Sequence, residues 1–454
     1  MTRNNRYVLK AIVAIAFVAV VLWMVYRDTR PVLRLYIWAD YLPPSVIARF
    51  EFEQQVRIEQ TFYRNNDEML ARVKLSWGEY DVIMPSNYVV EEMRRRDLLV
   101  RLTRADIPNL ANLDQAFLAG PTTVEVAAAR AAKEEALRQA AAAVTGVTLP
   151  PAPAFSVGVN LPPAAAPAAT PDGVYPIGYR DNAEYAIPYM VNFAGIAHRA
   201  GSMTPQPTSW ADLLNLERAA ALGNRLALLD EQRETLGFAL LALGFSPNTQ
   251  DVKELEVLRT TLLAFKAASG DGPRFVLANG RSELIDGNLD ILATWSPEIT
   301  AAQKATDPGT IGYTMPKEGA ILTFDTLAIP RSSSQQELAK KFINYLLSVP
   351  VARRVSEHSF YPSSLDPAKL SVPDSLRGTP SEARPPGPPI LLEDLDEAQH
   401  LYDAIWSEFR PRKDIERDRL AEQKRSTELI QEITWWRSLW DEGRARLRIS
   451  RKGT

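Results

Sequence analysis

Five short segments of this sequence concentrate acidic or hydroxyl side chains, four of them beside large aromatic rings. They are Trp38-Ala39-Asp40-Tyr41, Pro85-Ser86-Asn87-Tyr88, Asp230-Glu231-Gln232-Arg233-Glu234, Trp295-Ser296-Pro297 and Thr323-Phe324-Asp325-Thr326. Together they suit an organic cation. Ionised carboxylates accept charge-assisted hydrogen bonds from ammonium groups. Aromatic faces attract cations and cover the methylenes between them. At an effective dielectric of about 20, one ammonium–carboxylate contact at 4 Å gives roughly 4 kcal/mol before desolvation. Several carboxylates spaced apart would therefore select a multiply charged ligand. Each residue also has a purely structural role open to it. Glu231 and Glu234 would fall in the first turn of a helix, where the dipole alone favours acids. Trp38 and Trp295 could be core aromatics, Asp40 and Asp325 turn residues, Ser86-Asn87 a helix cap, and Tyr88 surface packing.

Other chemistries leave little trace. The chain has no cysteine, which excludes disulfides, thiolate metal sites, a cysteine nucleophile and a lipidated N-terminal cysteine. Its three histidines, His198, His358 and His400, form no HExxH-like arrangement. Gly-x-Ser-x-Gly and Gly-x-x-x-x-Gly-Lys are absent. A net charge of −3 gives no electrostatic footprint for nucleic acid. The expectation is a binding protein without catalysis, cofactor, metal or nucleic-acid partner.

The candidate residues must be positioned by the elements around them. In open α/β sheets ligands sit beyond the carboxyl ends of strands; four of the five segments follow apparent strands, and the fifth lies within the one at 322–329. Residues 33–38 alternate like a strand, and Pro43-Pro44-Ser45 opens a helix. Residues 56–63 alternate again, with Val56, Ile58, Gln60 and Phe62 on one face. Asn66-Asp67 caps a helix to about Leu75. Residues 80–84 read as a short buried strand stopped by Pro85, with a helix following through Arg95. This βαβαβ order predicts a parallel sheet with helices on both faces. Regular text resumes at 185–189. Strands are expected at 225–229, 289–294 and 322–329, and helices at 209–217, 230–243, 252–268 and 336–347.

Three stretches stand apart. Arg3, Arg6 and Lys10 precede an apolar run over 11–26, and Arg27 and Arg30 follow it. Sixteen helical residues span about 24 Å, close to a hydrocarbon core. No small-x-small cleavage site follows, so the run reads as an uncleaved signal anchor; a cleaved signal is the other reading. Either puts the body outside the cytoplasm. Residues 119–180 form an insertion, Ala-rich and helical at first, then dense in Pro and Ala. From 410 to 454 the tail is helical and basic. Its Trp435-Trp436, Leu439 and Trp440 could pack on the protein's own surface or, with Arg444, Arg446 and Arg448, lie on an anionic membrane.

From Leu33 onward the sequence resembles the periplasmic spermidine/putrescine-binding proteins of polyamine ABC transporters. The matching segments, in family order, are 36–44, 80–88, Ile187-Pro188-Tyr189, 208–213, Pro316-Lys317-Glu318-Gly319-Ala320, 325–330 and Phe360-Tyr361-Pro362-Ser363. The resemblance implies a type II-like periplasmic-binding-protein fold, α/β and two-lobed, closing on its ligand at a hinge. On that frame residues 1–30 are the anchor, 31–195 lobe 1 with the insertion, and 196–324 lobe 2. Residues 325–365 return through the hinge, 366–409 complete lobe 2, and 410–454 are the tail. It also implies ligand roles. Trp38, Asp40 and Tyr41 match the first ligand loop, and Ser86 and Tyr88 the second. Glu231 and Glu234 match an acidic pair that meets amines, Trp295 an aromatic platform, Asp325 the hinge carboxylate and Tyr361 a further pocket aromatic. The partners implied are a polyamine and the permease and ATPase subunits of an importer. A membrane-tethered sensor or adaptor, or a binder of a different small solute, are the alternatives. The chain departs from the family pattern at Thr323, where spermidine binders carry a stacking Trp, and at Ala39, where a small hydroxyl residue is usual. A C-terminal Gln that touches a terminal amine is missing near 391–393. Losing one aromatic wall leads to the expectation that a short diamine competes at least as well as spermidine.

Overall fold

The computed structural model describes residues 30–75, 78–117, 179, 182–270, 273–276, 280–383 and 390–411. The expected anchor except Arg30, the expected insertion except 179, and the tail beyond 411 lie outside the described residues. Among the described residues no helix is long and apolar enough to cross a membrane.

The first unit alternates as the sequence suggests. Strand β1 (Val32–Ile37) leads to helix α1 (Pro44–Gln54), β2 (Arg57–Phe62), α2 (Asn66–Leu75), β3 (Val82–Ile83) and α3 (Asn87–Arg95). Proline at the start of α1 presets helical φ. Gln55 then stops it in the left-handed region at φ 52°. Both β2 and β3 pair with β1 in parallel. The alternating face of β2 is buried only at its start, where Val56 and Ile58 meet the core; β2 is an edge strand, and its Phe62 is 50% exposed.

Next comes β4 (Ala186–Arg199), a single strand of 14 residues where the sequence suggested only its first few. Nearly every residue in it is buried, so no period-2 signal marks its length. Beyond it lie α4 (Trp210–Leu213), α5 (Leu216–Leu222), β5 (Leu226–Leu229), α6 (Gln232–Ala242) and α7 (Val252–Ala268). The helix expected at 209–217 is broken into α4 and α5, because Asn215 caps the second by accepting from Arg218 N at 2.8 Å. Then follow β6 (Arg274–Val276), α8 (Gly280–Ile285), β7 (Ile291–Trp295), α9 (Ser296–Lys304), β8 (Ile311–Thr314) and β9 (Ile321–Ala328). The chain finishes with α10 (Gln336–Leu346), α11 (Val349–Ser359), β10 (Ile390–Leu391) and α12 (Gln399–Phe409).

The strand order is β2-β1-β3-β9-β4-β7-β5-β6, with β10 beside β9 and β8 beside β4. Both ends of this order are parallel: β5 pairs in parallel with β6 and β7. The middle is antiparallel, because β9 runs against β3 and β4, and β4 against β7. The sheet is therefore mixed rather than parallel throughout. Strand β4 changes partners along its length. Ala186–Phe193 pair with β9, and Ala194–His198 pair with β7.

Apolar clusters cover both faces of each end. Leu33, Leu35 and Ile37 of β1 pack with Phe50 and Phe342 on one face, while Tyr36 packs with Ile83 and Met93 on the other. At the other end Leu226 and Leu228 pack with Phe265 and Tyr402, and Ala227 faces Leu292 and Ile299. The site lies where these two packed regions meet along β4 and β9.

Candidate functional site

Strand β9 carries the central carboxylate. Asp325 is 4% exposed. It accepts a hydrogen bond from the Tyr41 hydroxyl and another from Ser86 Oγ at 2.8 Å. Tyr41 follows β1, and its ring meets that of Tyr361 at 4.7 Å. Ser86 precedes α3, in a loop pinned to β9. Thr326 donates from both its backbone N and its Oγ1 to Pro85 O, at 2.9 and 2.7 Å. Asn87, the first residue of α3, accepts from Phe324 N at 3.3 Å and donates to Leu392 O at 3.2 Å.

A side-chain network extends from Ser86 to helix α6. Asn66 donates to Ser86 Oγ and to the Tyr88 hydroxyl, each at 3.0 Å, and accepts from Ser86 N at 3.1 Å. Tyr88 in turn donates to Glu234 Oε2 at 3.4 Å. The sequence reading did not select Asn66. It follows β2, so the strand-end rule that found the other segments would have found it there too.

Glu231 and Glu234 flank the start of α6 and are 4% and 1% exposed. Glu231 is the N-cap residue but makes no capping bond, and its Oε1 is buried without a partner. Arg233 lies between them in sequence and turns away. It donates to Pro247 O, Asn248 Oδ1 and Glu393 O at 3.2, 2.9 and 3.0 Å. It also sits 5.0 Å over the Tyr402 ring. Among the described residues no lysine or arginine forms an ion pair with Glu231, Glu234 or Asp325.

Three buried acids without an ion-pair partner resist ionisation. Burial pushes Glu234 up to about 7, despite its helix-N-terminal backbone and Arg233, with Asp325 pushing further. Burial raises Asp325 to about 6, against the hydrogen bonds from Tyr41 and Ser86. Glu231 is raised well above the ordinary carboxylate range by burial first, then by Glu234. An incoming cation would reverse each of these shifts.

The other expected residues are placed differently from one another. Trp38 is half-buried, its ring centre 4.4 Å from that of Tyr63, and its indole N–H favours the ionised form of Asp325 without a hydrogen bond of its own. Trp295 is half-buried at the end of β7, opposite Ala194 of β4. Asp40 stands apart from the hydrogen-bonded network. It is exposed in a left-handed turn at φ 60°, and its charge adds to burial in raising Glu298. The structure thus gathers Tyr41, Ser86, Tyr88, Glu234, Asp325 and Tyr361 into one connected site, with Glu231 beside it. Among the described residues no group of three or more histidines or acids is placed to hold a metal ion.

A buried acidic, aromatic site between two packed regions of one sheet is the arrangement of a solute receptor. The comparisons define the class: residues 45–375 match the model of the bacterial extracellular solute-binding proteins, and the chain belongs to that family. Its curated relatives include spermidine/putrescine-binding periplasmic protein 1 of Haemophilus influenzae, 28% identical over 394 residues, covering 84% of this chain and 89% of that one. The putrescine-binding periplasmic protein SpuD of Pseudomonas aeruginosa is 23% identical over 384 residues, covering 82% and 88%. Among solved structures, the spermidine/putrescine ABC transporter substrate-binding protein PotD of Streptococcus pneumoniae aligns with a TM-score of 0.57 at 22% identity, covering 84% of this chain and 98% of that one. The chain is accordingly a substrate-binding protein and not an enzyme.

Proposed function

We infer that this chain binds a linear polyamine, putrescine or spermidine, between two lobes and presents it to the permease and ATPase subunits of an ABC importer. The observation that carries this reading is the trio Glu231, Glu234 and Asp325, buried together without an ion-pair partner and walled by Tyr41, Tyr88 and Tyr361. An anionic ligand would raise the cost of that trio, and a neutral one would leave it. A chain with an ammonium at each end offsets it at both ends. Trp38, Trp295 and Asp40 would complete the walls when the lobes close.

The lobes are 31–195 with 325–365, and 196–324 with 366–409, hinged where β4 and β9 pass between them. Residues 1–30 would hold the protein at the outer face of the membrane. The polyamine-binding relatives support the ligand class. A thermal-shift panel of putrescine, cadaverine, spermidine, spermine, amino acids and phosphonates tests it. The melting temperature should rise with the amines and stay level with the rest. A rise with an acidic ligand, or none with any amine, would overturn the reading.

A further inference from the structure

Asn192 and Thr323 are two polar side chains that the network around Asp325 does not use. They stand directly opposite each other in the antiparallel register of β4 and β9. Cross-strand pairs of this kind bring their Cβ atoms within about 5.5 Å. Each is 3% exposed, yet Asn192 Oδ1 and Thr323 Oγ1 have no hydrogen-bond partner, not even each other. An unpaired buried polar atom bears its full desolvation cost. Two of them side by side, both able to accept and neither charged, mark a place where a donor is meant to arrive.

The pleat says where that place is. Residues two apart in a strand share a face, so Thr323 lies on the face of β9 that carries Asp325. The separation along the strand is about 6–7 Å, the reach of a short methylene spacer. On the other side Ile321 extends beneath α6, where a Cβ on Gly237 would meet its Cδ1 at 2.9 Å. The polar patch is therefore short, bounded by a carboxylate at one end and an apolar contact at the other. An ammonium at Asp325 sets the next nitrogen of the same chain beside Asn192 and Thr323.

The geometry points to Asn192 and Thr323 as a specificity-determining pair that accepts hydrogen bonds from an internal N–H of the ligand, so that the site selects a triamine over a diamine of equal length. This rests on the polyamine reading above. It also reverses the expectation drawn from Thr323 in the sequence alone. Read as a missing ring, Thr323 favours a short diamine; beside Asn192, its hydroxyl disfavours any ligand that lays bare methylenes against it. A site with buried polar groups rejects an analogue that leaves them unpaired.

Calorimetry with spermidine and 1,8-diaminooctane tests the pair, because the two chains are equally long and differ at one internal position, a protonated secondary amine against a methylene; the buried acids favour the extra charge in every variant, so the change in the ratio on substitution reads the pair. Wild-type protein should favour spermidine by at least about tenfold. In the double variant Asn192→Leu, Thr323→Val, which leaves the charge of the site unchanged, the ratio should fall by about tenfold, partly because diaminooctane binds better. Binding of diaminooctane itself shows that the variant is folded. If the double variant binds neither amine, Thr323→Val alone, nearly isosteric, is read by the same criterion. Heat from both amines with an unchanged ratio would overturn the pair and leave the polyamine reading standing. No heat from either amine on wild-type protein would remove that reading, and this inference with it.

Discussion

Glu234 and Asp325 make the site sensitive to pH in two opposite ways. In the empty protein burial holds Glu234 near 7 and Asp325 near 6, above their ordinary values of 4.5 and 3.8. The folded state therefore binds more protons than the unfolded chain between those limits. The contribution of these groups to stability is full below the unfolded values and is lost as pH rises through the folded ones. Ligand binding runs the other way, because an ammonium ion requires the ionised acids. Amine affinity should rise from pH 5 and level off above about 7.5, while the melting temperature of the empty protein loses the contribution of these groups over the same range. Calorimetry at fixed ionic strength checks the first, and proton release on binding near pH 7 should accompany it. Affinity independent of pH between 5 and 8 would mean that the acids are not the ammonium partners.

At the scale of elements, the position of α6 decides whether Glu234 can reach the site. Gly237 lies one turn beyond Glu234 and packs onto β9. A Cβ there would meet Ile321 Cδ1 at 2.9 Å and Leu392 Cδ2 and Pro247 Cβ at 3.4 Å. Alanine displaces only the flexible end of Ile321, but the two methyls of valine have no such space. Gly237→Val should cost about 1–3 kcal/mol of stability by overpacking and should weaken amine binding by lifting Glu234. Melting and titration of the variant measure both, and wild-type values in each would contradict the close approach. Several elements were legible because their signals are local. Helix α7 coincides with its expected span, opened by Asp251 accepting from Lys253 N at 2.7 Å, and β1 alternates visibly. Strand β4 was legible only at its start, because burial on both faces erases alternation. Tyr41, Tyr88, Glu231 and Glu234 stood out at strand ends, Asp325 within an expected strand, and Tyr361 through the family resemblance alone. Asn66 did not, since an asparagine at the start of a helix reads as a cap. Asn192 was invisible for a different reason: its meaning depends on a partner 131 positions away, brought opposite only by the register of β4 on β9.

At the scale of the molecule, the binding reading depends on a ligand joined to both packed regions. Asp325 belongs to the hydrogen-bonded group of Tyr41 and Ser86, beside the core built on β1 and β3. Glu234 belongs to α6, in the core built on β5. Among the described residues Tyr88 bridges them in the side-chain network, through its long bond to Glu234. A polyamine would supply the missing connection, and each acid should then be separately necessary. Because both acids are held above their ordinary ionisation ranges, neutral replacements should leave the empty protein at least as stable as before. The most direct measurement is calorimetry of spermidine at pH 8 on wild-type protein, Asp325→Asn and Glu234→Gln. We predict a clear heat from the wild type and a loss of about two to four decades of affinity in each variant, as removing one partner of a buried charge pair costs about 3–5 kcal/mol. Wild-type affinity in either variant, or no heat from the unaltered protein, would contradict the account.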